Sequence, residues 1–231
     1  MTESNPFVAM FESPDSAANY ADGPAKFTPG FTDIHRMAGV LIRERAPDNA
    51  HVLVHGAGGG LELAAFAGAN PGWTFVGVDP ARAMLDEARR RLGENTARVR
   101  FHEGYIDDAP TGPFDAATSL LTLHFLERDA RIQTIAAIAE RLKSGAPFVA
   151  VHSSFPQDET AREQWLSRYE AFAIASGAKP EMAAAARTAV ASNLPILAPD
   201  EDAAILSQAG LSGVTSFYAG FTWHGWIGYA P

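Results

Sequence analysis

The stretch that most restricts what this chain can become is His51 to Phe66, HVLVHGAGGGLELAAF. It opens with a short apolar run, His51 to Val54, suited to a strand buried on both faces. Gly56-Ala57-Gly58-Gly59-Gly60 follows. Leu61, Leu63, Ala64 and Ala67 then read as the first turns of a helix, with Glu62 near its start. Strand, glycine turn and helix N-terminus in succession let a nucleotide-like ligand approach bare backbone at the positive end of a helix. Gly56, Gly58 and Gly60 fit G-x-G-x-G; the dinucleotide fingerprint G-x-G-x-x-G needs a glycine at 61, and that residue is Leu61. A second apolar run, Trp73 to Val78, ends at Asp79. An acid at the tip of a second strand can accept hydrogen bonds from both hydroxyls of a ribose. It can also cap the next helix, with Pro80 as the first residue of that helix.

The rest of the chain fits one α/β domain over 1–231. Residues 1–32 carry four prolines among aromatics such as Tyr20, Phe27 and Phe31, which predicts an ordered N-terminal cap rather than a plain tail. A helix is expected from about Asp33, as N-cap, to Arg45, stopped by Pro47. Strands are expected at Val99 to His102, Ala116 to Leu121 and Pro147 to His152, alternating with helices, which means a parallel sheet with right-handed crossovers. Arg89, Arg90 and Arg91 read as a solvated helix face. The alternation breaks at 154–198, which holds helical sequence without a strand and is taken as a helical insertion over the active edge of the sheet. After a helix from Asp200 to Gly210, Val214 to Tyr218 and Thr222 to Tyr229 lie too close together for a crossover and must form an antiparallel hairpin. The expected fold is therefore a Rossmann-like seven-stranded sheet, mostly parallel, with an antiparallel C-terminal hairpin, an N-terminal cap and a helical insertion after strand 5.

Five pieces in this order resemble the class I S-adenosylmethionine (SAM) dependent methyltransferases. They are the glycine turn, Val76-Gly-Val-Asp-Pro, Glu103-Gly-Tyr-Ile-Asp-Asp-Ala-Pro, Phe114-Asp-Ala-Ala-Thr-Ser-Leu-Leu-Thr-Leu-His and Leu142-Lys-Ser-Gly-Ala-Pro. The resemblance implies SAM as cofactor and transfer of a methyl group by in-line displacement. One departure stands out: the family usually carries an acid two residues before its first glycine, and here that residue is Val54.

Ligands of open α/β sheets bind beyond the carboxyl ends of the strands. On that rule and the resemblance, Gly56, Ala57 and Gly58 admit the methionine end of SAM, Asp79 holds the ribose, and Pro80 or Met84 lies along the adenine. The Ile106 backbone and either Asp107 or Asp108 meet the adenine edge, and the backbone of Ser119 or Leu120 meets the methionine ammonium. His124 and His152 are candidates for catalytic contact, each with a structural role as the alternative. His55 is expected to pack beneath the loop. Tyr20, His35, Trp165, Tyr169 and Trp223 are expected on the substrate side by location. No metal is expected, because the histidines lack an acidic partner at ligand spacing.

Composition narrows the partners. Eighteen basic against 27 acidic residues give −9, which disfavours a broad phosphate-binding surface. There is no cysteine, hence no disulfide framework or zinc-thiolate site. No apolar run approaches membrane-spanning length and the first residues lack a signal pattern, so a cytoplasmic protein acting on a small molecule is expected. Phe27-Thr-Pro-Gly-Phe-Thr-Asp-Ile-His-Arg-Met further resembles the opening segment of the carboxy-SAM synthase group of tRNA modification, which implies a homodimer. That group carries an arginine for the extra carboxylate, and the matching residue here is Ile205. Without that cation a carboxylated sulfonium is unpaired in a closed pocket, so methyl transfer from ordinary SAM is the expected reaction. A carboxy-SAM synthase-like enzyme and a non-catalytic SAM-binding protein are the alternatives.

Overall fold

A computed structural model describes Phe11 and residues 23–231. In chain order, α1 is Pro24–Phe27, α2 Phe31–Arg43, β1 His51–His55, α3 Leu61–Ala69, β2 Thr74–Asp79, α4 Arg82–Leu92 and β3 Val99–Glu103. Then come β4 Ala116–Leu120, α5 Arg128–Ala139, β5 Pro147–Ser153, α6 Glu159–Ala175, α7 Pro180–Asn193, α8 Pro199–Gln208, β6 Ser212–Gly220 and β7 Trp223–Tyr229.

The strands form one sheet in the order β3-β2-β1-β4-β5-β7-β6. The five from β3 to β5 are parallel, whereas β7 runs antiparallel to β5 and pairs with β6 as a hairpin. The chain grows outward from β1 through β2 to β3, then returns to β4 on the other side of β1. The carboxyl ends of β1 and β4 therefore flank the switch point where such sheets bind ligands.

Both faces of the sheet are covered, which is why its central strands read as unbroken apolar runs. On one face Val52, Val54, Leu120 and Val151 pack against Ile34 and Ile42 of α2 and Leu63 and Phe66 of α3. On the other, Leu53, Phe148 and Ala150 pack against Ile135 and Ile138 of α5 and Ile205 and Leu206 of α8. Burying one such large side chain is worth ~1.5–3 kcal/mol, so these two layers hold the strand ends in place.

Boundaries differ from expectation where local chemistry competes. Helix α2 begins at Phe31 rather than after Asp33, because Gly30 takes the left-handed conformation, φ 62°, that starts it. Asp33 then lies in the first turn, favourable at the positive end of a helix, and pairs with Arg36 at 3.1 Å. The insertion is a helical pair. Asp158 caps α6 by accepting from the Ala161 N–H at 3.0 Å, and Arg187 of α7 bridges Glu163 and Glu170 of α6. Its apolar side joins Leu166, Tyr169 and Val190 to Phe155, Ile196 and Trp223.

The N-terminal segment is tied to the C-terminal hairpin. Trp223 Nε1 donates to the Phe27 carbonyl at 2.9 Å, and the Tyr218 hydroxyl donates to the Pro29 carbonyl at 2.6 Å. The Phe27 ring lies 5.5 Å from that of Tyr169, so cap and insertion meet. Of the cap expected at 1–32, the part including Tyr20 lies outside the described residues, apart from Phe11, which packs on Ala81 and Met84. Among the described residues no helix is long and apolar enough to cross a membrane.

Candidate functional site

The glycine turn is folded back onto the tip of β2. The N–H groups of Gly56 and Ala57 both donate to the Val78 carbonyl, at 2.9 and 3.0 Å. The Asp79 carboxylate then binds backbone on both sides, taking the Gly58 N–H on Oδ2 and the Ala81 N–H on Oδ1, each at 2.9 Å. Burial pushes the Asp79 carboxyl up to about 6, against those two hydrogen bonds, so it is ionised at neutral pH. Each oxygen keeps a second lone pair for a ligand hydroxyl. Asp79 thus faces the loop and pins the turn before α4, but it does not cap that helix: the N-cap is Ala81, without a side-chain cap, and the helix starts at Arg82 rather than Pro80.

The glycines are required by space. A Cβ on Gly58 would stand 2.7 Å from Asp79 Oδ2 and 2.9 Å from Met84 Cβ. Gly60 has φ +67°, and a Cβ there would lie 2.7 Å from the Ala88 Cα of α4. Gly60→Ala therefore combines a left-handed backbone with a collision against helix backbone, and should lower stability by about 2–3 kcal/mol. Urea unfolding checks this; an unchanged midpoint would mean that the loop and α4 are not in close contact. The bare backbone at these positions is a cradle that fits the amino-acid end of an adenosyl cofactor.

The cleft beside the cradle is lined by Phe31 and His35 of α2, Gly56, Gly58, Glu62 and Leu121. Leu121 has φ 58°, a left-handed backbone rare for a branched residue and typical of strain kept at a working site. Burial lowers the His35 imidazole to about 4, so it is neutral here, and its ring sits edge-on to Phe31 at 4.7 Å. Glu62, on the first turn of α3, is buried, and its Oε1 accepts from the Thr118 hydroxyl at 2.6 Å. Burial raises its carboxyl to about 8, partly offset by that bond.

The other expected residues are scattered. Ser119 is buried, with its hydroxyl 3.0 Å from His55 Nδ1, which puts His55 beneath the loop. Burial lowers the His55 imidazole to about 4. Ile106 is buried, while Asp107 and Asp108 are exposed on the short turn after β3. His124 is buried, its imidazole held well below its usual range by burial and by His152 and Arg131, and its ring is 5.5 Å from that of Trp223. Trp223 and Tyr169 are buried in the insertion's core, and the Arg168 guanidinium covers the ring of Trp165.

His152 corrects the expectation of a cleft-facing histidine. Its side chain turns into the core on the α5 and α8 side, 1 % exposed, with Nε2 3.2 Å from Asp202 Oδ2. That contact is at ion-pair distance but lacks hydrogen-bond geometry. Asp202 pairs in turn with Arg131, wholly buried, whose Nη2 also donates to the Leu126 and Pro195 carbonyls at 3.0 and 2.9 Å. This cluster ties the end of the insertion to the start of α5. Arg91, expected on a solvated face, donates from Nε to the Gly59 carbonyl at 2.7 Å and so buttresses the cradle.

Two residues were missed from the sequence: Glu62, which lines the cleft, and Thr118, the buried residue that holds it. The available signal was a lone acid among Leu61, Leu63 and Ala64 and the adjacent hydroxyls Thr118 and Ser119 in the otherwise apolar β4.

Residues 52–145 match a family model described as a methyltransferase domain. Over nearly the whole chain there are relatives among carboxy-S-adenosyl-L-methionine synthases. That of Campylobacter lari is 25% identical over 214 residues, 92% of each chain. That of Chromohalobacter salexigens is 28% identical over 228 residues, 91% of this chain and 83% of the relative. Among solved structures, human N-acetylserotonin methyltransferase in complex with SAM superposes with TM-score 0.65 at 14% identity, covering 99% of this chain and 59% of that one. The pyocyanin biosynthetic protein PhzM gives TM-score 0.68 at 15% identity, covering 98% and 61%. The chain thus spans about three fifths of those two structures, and at such identity they speak for the fold. The domain match lies on the strands that build the cradle, so residues 52–145 are similar to a methyltransferase domain, and the whole chain has the fold of SAM-dependent methyltransferases.

Proposed function

We propose that this chain transfers a methyl group from SAM to a small-molecule acceptor bound between the cleft and the helical insertion. The observation that carries the reading is the Asp79 carboxylate at the tip of β2, held beside the glycine turn by the Gly58 and Ala81 N–H groups. In this reading Gly56, Ala57 and Gly58 cradle the amino-acid end and Asp79 takes the ribose hydroxyls. Pro80, the Ile106 backbone and Asp107 or Asp108 border the adenine, and the Ser119 and Leu120 backbones close the floor. Bound SAM supplies an electrophilic methyl on a sulfonium.

The chain's own contribution is alignment and exclusion of water, since an in-line displacement gains most of its rate from positioning. Phe31 and Leu121 wall the cleft, and Trp223 and Tyr169 back it through the insertion. His124 and His152 are buried away from an acceptor, and His35, neutral with its imidazole at about 4, is a weak base. The site therefore suits acceptors that arrive already nucleophilic, with His35 as a hydrogen-bond partner. The net charge of −9 favours a small molecule over nucleic acid. A homodimer, which the resemblance implies, and a cytoplasmic location belong to the same reading.

A second reading is carboxy-SAM synthesis, favoured by relatives of that name over most of the chain. Against it, no Lys or Arg is among the described residues lining the cleft, and Ile205 is completely buried in the α8 core. Mass spectrometry of ligand co-purified from cells separates the two.

Calorimetric titration with SAM and with NAD tests the main reading. Micromolar SAM binding is expected, weakened at least a hundredfold by Asp79→Ala, with no NAD binding. A NAD signal without a SAM signal would overturn it.

A further inference from the structure

We propose that Glu62 is the anion that receives the α-ammonium of the cofactor's amino-acid end, and that it gives up a proton when the cofactor binds. This rests on the SAM reading of the cleft and adds a charged partner to the Ser119 or Leu120 backbone expected at the ammonium. An ammonium taken from water into a closed cleft needs a charged or strongly accepting partner. Among the described residues lining the cleft, Glu62 is the one acid. Asp79 borders the same loop, but its oxygens are held by the Gly58 and Ala81 N–H groups at the ribose end.

The geometry of Glu62 suits the task. It leaves the first turn of α3 directly after the cradle and reaches back across the sheet face to Thr118. Thr118 is the register partner of Val54 on β1, so the carboxyl sits beside the strand that feeds the glycine turn, where position 54 itself offers only an apolar side chain. Thr118 occupies Oε1 and leaves Oε2 for a ligand. Two oxygens with one protein donor between them leave a carboxylate under-satisfied, so without a ligand the group keeps its proton. An arriving ammonium supplies the missing donor and the opposite charge, and the proton leaves to solvent.

The test compares three ligands on wild type and Glu62→Gln, which keeps size and the acceptor for Thr118 but cannot ionise. S-Adenosylhomocysteine retains the ammonium and lacks the sulfonium; 5′-methylthioadenosine lacks both. Glu62→Gln should lose at least tenfold in affinity for SAM and for S-adenosylhomocysteine alike, and change less than threefold for methylthioadenosine. Titration of wild type at pH 6.5 in buffers of different ionisation enthalpy should show close to one proton released per SAM, a readout that needs no variant to fold. Equal SAM affinity in the variant, a loss confined to SAM, or no proton release by wild type would each overturn the assignment while leaving the cofactor reading intact. Binding of none of the three ligands by wild type would overturn both.

Discussion

Asp202→Ala should cost about 3–5 kcal/mol of folding stability at pH 7, because it strands the Arg131 guanidinium without a counter-charge in a fully buried place. Both side chains are 0 % exposed, so neither water nor salt can take over the lost partner. The stranded charge sits where the insertion rejoins the domain. Arg131 Nη2 holds the Pro195 carbonyl at the end of the insertion and the Leu126 carbonyl after β4, and Asp202 fixes the fork that makes both bonds. Denaturant titration of wild type, Asp202→Ala and the double variant Arg131→Met with Asp202→Leu checks it. The double variant should lose less than the single one, since removing both charges leaves no uncompensated ion. A single variant as stable as wild type would show the pair to be hydrated after all.

The same cluster sets an acid limit. Burial opposes the charge on Asp202, but His152 and Arg131 beside it outweigh that and hold the carboxyl down at about 2, against 3.8 when unperturbed. A folded-state value below the unfolded one adds stability that is complete above about 4 and is lost as pH falls towards 2. The amount is ~2 kcal/mol. The difference between wild type and Asp202→Ala should therefore shrink across that window.

The parts of this molecule that could be read from sequence are those governed by neighbours in the chain. The turn from Gly56 to Gly60 announces itself, because bare backbone is needed at consecutive positions, and Asp79 ends the next apolar run and bonds the turn directly. The hairpin was legible because so few residues separate β6 from β7. What stayed hidden depends on partners far along the chain. His152 lies in a strand buried on both faces, so alternation gives no clue to which side it points, and its partner Asp202 is fifty residues away. Glu62 reads as an ordinary first-turn acid, stabilising at the positive end of a helix. Only the register that puts Thr118 opposite Val54 turns it into a group of the cleft. The start of α2 was misplaced for a local reason: Gly30, not the capping chemistry of Asp33, sets it.

Without cofactor, Glu62→Gln should be more stable than wild type at alkaline pH, by about 3 kcal/mol or more at pH 8. Burial holds the Glu62 carboxyl up at about 8, against 4.5 when unperturbed. A raised carboxyl binds its proton more tightly in the folded state than in the unfolded one. Its contribution is therefore complete below about 4.5 and declines as pH rises towards 8, where the folded protein must ionise the group or unfold. The glutamine variant has no proton to lose and keeps an oxygen for Thr118, so its curve should lack this decline. Asp79 also sits above its usual range, but it does so in both proteins, and the difference between them isolates position 62. Thermal or urea unfolding at pH 5, 7 and 8 measures that difference, which should grow steadily over the series. A difference that stays flat would place Glu62 in contact with enough water to ionise freely. The destabilisation has a functional logic: a carboxyl left under-satisfied in the empty cleft makes the folded protein weaker alone and gives a cationic ligand the most to gain by entering.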